Sequence, residues 1–126
     1  MKGVFAVARL MDFLIRKNKE TEQELYPVLL RIFLYIAENH QRGATFSQIQ
    51  NDLGIVSTSV HRAVATLADG VSRKPNSGMG LVESQKNPDD YRSKILRLTP
   101  QGQSFLNEMT SALYGPSSSG GKESLR

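Results

Sequence analysis

The sequence predicts a mainly α fold of the α+β class, four helices followed by a two-stranded β-hairpin and a closing helix, and three observations carry this reading. Four stretches before residue 68 repeat their apolar side chains at three- and four-residue steps, the spacing of a helix with one buried face. Leu81 to Gln85 and Ser93 to Leu98 read as two short strands flanking Lys86-Asn87-Pro88-Asp89-Asp90-Tyr91, whose Pro and Asp residues suit a hairpin loop. Thr99-Pro100 then supplies a helix cap and a first-turn proline. The chain has no internal repeat, and its 126 residues fit one core supplemented by partner contacts.

The first helix is expected over Val4 to Lys17, where Val4, Val7, Ala8, Met11, Leu14 and Ile15 form an apolar stripe. A polar stretch, Asn18 to Glu24, follows. The second helix is placed from about Tyr26 because Pro27 suits a first turn, where its missing N–H costs nothing. Thr21 with Glu24 offers an earlier capping box, but that start sets Pro27 deeper in the helix and strains it. Leu29, Leu30, Phe33, Leu34 and Ile36 make this helix apolar nearly all round, so it is expected to be the buried spine. Thr45 with Gln48 forms a capping box for a short third helix with Phe46, Ile49 and Leu53 facing inward, and Gly54 ends it. Ser57 is read as the N-cap of the fourth helix, whose Val60, Val64 and Leu67 face the same core. The closing helix carries Phe105, Leu106, Met109 and Leu113.

Composition narrows the function. The formal charge of +4 and pI near 9.6 agree with a polyanionic partner. Between Ser57 and Arg97 seven basic side chains face four acidic ones, so most of the net charge falls there. With no cysteine, disulfides, thiol redox sensing and thiolate metal sites are excluded. The strongest apolar run, Val28 to Ala37, is interrupted by Arg31 and is far shorter than the ~20 residues of a membrane span. Arg9, Asp12 and Arg16 break up the N-terminal apolar residues, unlike a signal peptide, and a cytoplasmic location is expected. The Gly/Ser-rich tail, 115–126, is expected to be disordered. The expected organisation is an N-terminal helix, 1–20, serving dimerisation, a main domain with the closing helix over 21–114, and that tail.

Two short helices joined by the tight turn Gly54-Ile55-Val56 give a helix-turn-helix, and the hairpin beside it is a wing. At this point the chain resembles the MarR family of bacterial winged-helix regulators over roughly Tyr26 to Phe105. The likeness rests on Leu53-Gly54-Ile55 followed by Ser59-Val60-His61-Arg62, and on Gly80-Leu81-Val82 followed by Asp90-Tyr91-Arg92 and Leu98-Thr99-Pro100-Gln101-Gly102. Three features depart from the family pattern. The segment Val71 to Met79 lengthens the link between fourth helix and wing, Tyr91 replaces the middle wing arginine, and one closing helix stands where members end in two long intertwining helices.

The resemblance implies a winged helix-turn-helix that binds double-stranded DNA, and the residue types agree. Donors and acceptors near the N-terminus of a major-groove helix reach base edges, which makes Ser57, Thr58, His61 and Arg62 candidates, with Ser59 contributing there or only capping. Arg62 suits guanine, whose O6 and N7 accept a guanidinium together. Arg92 suits the narrow minor groove of A·T-rich DNA, with Asp90 orienting it through a salt bridge, a role the resemblance also implies. The bland alternative makes Asp89 and Asp90 plain turn formers. Arg73, Lys74, Lys86 and Lys94 are candidate phosphate contacts. Phe33, Phe46 and Phe105 are read as core residues. His40 and His61 lie apart with no nucleophile, phosphate-loop or metal-ligand spacing around them, so no enzyme, cofactor or metal is expected.

The expected function is that of a homodimeric transcriptional regulator, a repressor, reading a pseudo-palindrome; no small-molecule effector is assigned. A replication or partition protein of plasmid or phage origin is the alternative that keeps the DNA. A winged-helix protein-interaction module is the alternative that does not.

Overall fold

The computed structural model describes residues 2–69 and 78–114. In these residues the expected order is found: α1 (Lys2–Thr21), α2 (Pro27–Glu38), α3 (Phe46–Leu53), α4 (Ser57–Leu67), β1 (Val82–Asn87), β2 (Asp90–Leu98) and α5 (Pro100–Tyr114). Arg73, Lys74 and the tail from Gly115 lie outside the described residues. The chain divides into two compact units, Tyr26–Gln103 in one, the residues up to Leu25 and from Ser104 in the other. The closing helix, grouped with 21–114 in the sequence reading, is thus shared between them.

The unit Tyr26–Gln103 is built on α2. Pro27 occupies its first turn behind an extended Tyr26, as its lack of an N–H favours, and Leu29, Ile32, Phe33 and Ile36 are fully buried. Each such side chain contributes about 1.5–3 kcal/mol by leaving water. The Thr45 capping box forms in full: its hydroxyl accepts from the Gln48 N–H, and the Gln48 amide accepts from the Thr45 N–H. Ile49 is completely buried, whereas Phe46 and Leu53 are only half-buried. Gly54 closes α3 at φ 65°, a left-handed conformation that a side chain would strain.

The start of α4 corrects the reading of Ser57 as its N-cap. Val56, extended at φ −68° and ψ 153°, holds that position, and its carbonyl accepts the first helical bond from Val60. Ser57 is therefore the first helical residue, and no side chain caps this helix. Val60, Ala63, Val64 and Leu67 are buried where α4 packs on α2 and α3.

Both strands are longer than expected, and the six-residue loop shrinks to a turn at Pro88 and Asp89. Asn87 organises the turn, accepting from the Asp89 N–H at 3.0 Å and donating to the Ser93 hydroxyl at 2.9 Å. The antiparallel pairing runs from Val82 opposite Leu98 to Lys86 opposite Lys94, then jumps to Asn87 opposite Asp90. Residues 91–93 thus form a bulge on β2. The wing is tied down at its base. Ala44 and Leu96 exchange both backbone hydrogen bonds, and Arg97 donates to the carbonyls of His40, Gln41 and Arg42 and to the Gln85 side chain. Thr99 caps α5, accepting from the Gly102 N–H while donating to the Gly80 carbonyl.

A hydrogen bond from the Tyr35 hydroxyl to Asp52, 2.5 Å long, joins α2 to α3. That bond to a carboxylate, and then burial, push the phenol up from 10.0 to about 12. Because the folded state favours the protonated phenol, this contribution is fully present below pH 10 and is lost as pH rises from 10 towards 12. Urea unfolding across that window should show Tyr35→Phe losing less stability with rising pH than the wild type. Equal slopes would refute the coupling.

In the other unit, α1 runs through Asn18 to Thr21, which the sequence reading left as a polar connection. Lys17 bonds Glu108 at 2.8 Å and Glu20 at 3.2 Å, which raises its pKa, and Arg9 donates to the last carbonyls of α5, at Ala112 and Leu113. The inward aromatic of α1 is Phe13, edge-on to Phe105 at 5.6 Å. Much of the stripe identified in the sequence is turned to solvent: Val4, Val7, Met11 and Ile15 are about half exposed, together with Phe5. Phe105 and Met109 are buried.

Candidate nucleic-acid interface

The exposed half of α4 follows from its apolar spacing: with Val60, Ala63, Val64 and Leu67 turned inward, Ser57, Thr58, His61 and Arg62 face outward, and Ser59 is half-buried. The helix opens without a side-chain cap, so the peptide N–H groups of its first turn keep their capacity to meet an external acceptor. Arg62 is exposed and makes no ion pair or hydrogen bond among the described residues. His61 is held more firmly. Its ring stacks on Phe46 at 4.3 Å with 15° between planes, and Nδ1 lies 2.9 Å from the Ser57 carbonyl.

The wing adds cations that its own chain does not neutralise well. Lys86 and Lys94 sit directly opposite each other on the two strands, both exposed. Like charges facing across a ladder destabilise it, and a bound polyanion relieves that repulsion. Arg92 lies in the bulge with its side chain 96% exposed. Asp90 accepts from the Arg92 N–H at 3.0 Å and lies 3.8 Å from its Nε, an exposed pair whose effect is positional, since such contacts stabilise by at most ~1 kcal/mol.

Helix and wing meet around a groove of about 450 Å³, to which α4 contributes His61 and Ala65, the turn after it Asp69, α3 Phe46, and the wing Arg92 and Lys94. The fold therefore gathers His61, Arg92 and Lys94 around one concavity. Ser57, Thr58 and Arg62 stand on the exposed face of α4, outside the groove lining.

Sequence reasoning missed three things here. Phe46 was assigned to the core but supports His61, Asp69 places a carboxylate in the groove, and Arg97, part of the local charge excess, is committed to loop carbonyls. The Phe46 role had no signal in the sequence, because residues 15 apart on different helices share no periodicity.

A larger groove, of about 570 Å³, lies in the other unit between α1 and α5. Its Arg9 is used on helix carbonyls and its Arg16 sits beside Glu20, so it has less free positive charge for a polyanion. Among the described residues no group of three His, Asp or Glu could hold a metal ion, and no helix is long and apolar enough to cross a membrane.

No protein-family model and no curated protein matches the sequence, so the likeness to known proteins lies in the fold. The chain is similar to Staphylococcus aureus MepR, solved in a DNA complex, at TM-score 0.64 and 19% identity, covering 86% of this chain and 79% of that one. A mutant of Escherichia coli MarR complexed with operator DNA superposes at TM-score 0.57 and 18% identity, covering 90% of this chain and 77% of that one. CouR, a transcriptional repressor bound to a 23-mer duplex, gives TM-score 0.58 and 21% identity, with coverages of 86% and 68%. The fold is the winged helix of MarR-type regulators.

Proposed function

With that fold as the starting point, we propose that this chain is a MarR-family regulator that binds double-stranded DNA as a homodimer, α4 in the major groove and the wing at the minor groove. The observation that carries the proposal is the convergence of His61, on the exposed face of a helix whose first turn is uncapped, with Arg92 and Lys94 around one groove. Major-groove width admits a helix, and an arginine displayed on a bulge has the reach for the adjacent narrow groove. Lys86 and Lys94 hold phosphate, fixing register without reading sequence. MepR, MarR and CouR, solved with DNA, support the same assignment, and CouR, a transcriptional repressor, supports repression.

Selection of bound sequences from a random duplex library tests the whole reading, since a symmetric regulator should enrich a pseudo-palindrome. Binding should also weaken steeply as salt rises. Arg62→Ala is expected to cost ~1–3 kcal/mol of specific affinity and to relax one position per half-site, leaving the fold unchanged because its side chain is exposed. Unchanged discrimination between selected and scrambled duplexes would remove Arg62 from base reading.

A further inference from the structure

His61 is constrained from two sides. The Phe46 ring lies nearly parallel to the imidazole, 4.3 Å between centroids, which fixes the ring plane. Nδ1 lies 2.9 Å from the Ser57 carbonyl oxygen and 3.3 Å from the Ser57 hydroxyl. A carbonyl oxygen only accepts, so the shorter contact requires the proton on Nδ1. In the neutral ring that leaves Nε2 with a lone pair and no proton, and nothing among the described residues is bonded to it. The ring also lines the groove that Asp69 shares, where a carboxylate opposes phosphate and favours a donor.

We propose that His61 is a specificity-determining residue that accepts a hydrogen bond through Nε2 from an exocyclic amino group, that of adenine N6 or cytosine N4, with Phe46 and Ser57 as its positioning residues. The proposal rests on α4 entering the major groove as described above. Those two amino groups are the donors a major groove displays, whereas guanine and thymine present acceptors there. The assignment therefore fixes the polarity of the base read by His61, as distinct from Arg62, which seeks acceptors.

The test is selection from a random duplex library with wild type, His61→Ala, Phe46→Leu and Phe46→Tyr, followed by affinity measurement on the winning site. Wild type should enrich one base pair at a given position per half-site, whose adenine or cytosine supplies the amino group, and His61→Ala should lose preference there alone. Phe46→Leu should relax the same position and Phe46→Tyr, which keeps the stack, should restore it; a merely structural Phe46 would change overall affinity without this pattern. Replacing the selected adenine by purine, or the selected cytosine by 2-pyrimidinone, removes the amino group and should weaken wild type roughly fivefold to tenfold while leaving His61→Ala unaffected.

Undiminished wild-type affinity when that amino group is removed overturns the acceptor role. So does a uniform loss of affinity with a shallower salt dependence in His61→Ala, which marks a phosphate contact. In either case the DNA-binding reading stands. Absence of any enrichment by wild type overturns both.

Discussion

Gly102→Ala is expected to destabilise the protein by ~2 kcal/mol, within the range for overpacking a tight site, lowering Tm by roughly 8–16 °C in a unit of this size. Ordinarily alanine for glycine inside a helix stabilises it by about 1 kcal/mol. Here the added methyl points at the Leu81 carbonyl, and backbone is the one neighbour that has no rotamer to change. Leu81 itself cannot retreat: its N–H bonds the Leu67 carbonyl at 2.7 Å and its carbonyl accepts from Thr99 at 3.0 Å. The strain therefore reaches the start of the wing and the end of α4 together. Gly3→Ala supplies the control, because nothing lies within 4 Å of a side chain at that helical position, and it should leave stability unchanged or raise it. Thermal unfolding of the two variants beside wild type decides the matter; a Gly102→Ala protein as stable as the parent would show that α5 does not pack on Leu81 as described.

What was legible in the sequence was local. The Thr45 capping box, the left-handed Gly54, Pro27 and Pro100 in first turns each rest on a residue whose backbone or hydrogen-bonding habit leaves few alternatives. Ser57 failed as a cap because that rule weighs side chains, whereas the turn geometry after Gly54 gave Val56 the extended conformation and the accepting carbonyl. The wing was underestimated because Lys86, Asn87, Tyr91 and Arg92 are as suited to a loop as to a strand, and only the pairing partner decides. For the site, the types and positions of His61, Arg92 and Lys94 were readable, but their gathering around one groove depends on Ala44 pairing with Leu96 and on Arg97 holding the loop carbonyls. Those contacts span more than fifty residues and leave no periodic trace.

The first helix poses the same problem more sharply, and it leads to the other large expected effect: Met11→Glu with Ile15→Glu should convert a dimer to a monomer and weaken binding to a pseudo-palindromic duplex about a hundredfold or more, since two linked half-sites multiply affinity by roughly 10²–10⁴. Periodicity announces that α1 has an apolar stripe but not which surface that stripe meets. Within its own unit α1 turns Phe13 inward, while Val4, Phe5, Val7, Met11 and Ile15 stand 47–62% exposed. An apolar row of that length left in water favours association, and a second copy offers the same row in an isologous pairing. A dimer that reads a two-fold site needs its two α4 helices about 34 Å apart, or a multiple of that, to match successive major grooves. Met11 and Ile15 are chosen because their exposure lets them be changed without opening the core, whereas Leu14, on the same helix, is half-buried. In the double variant the introduced carboxylates would have to leave water in an apolar interface, adding a desolvation cost to the loss of apolar contact. Circular dichroism should show unchanged helix content, sedimentation equilibrium should give a dimer for wild type and a monomer for the variant at tens of micromolar, and affinity for an isolated half-site should be equal in both. Wild-type monomer at that concentration, roughly where weak dimers still form, would refute the proposed assembly.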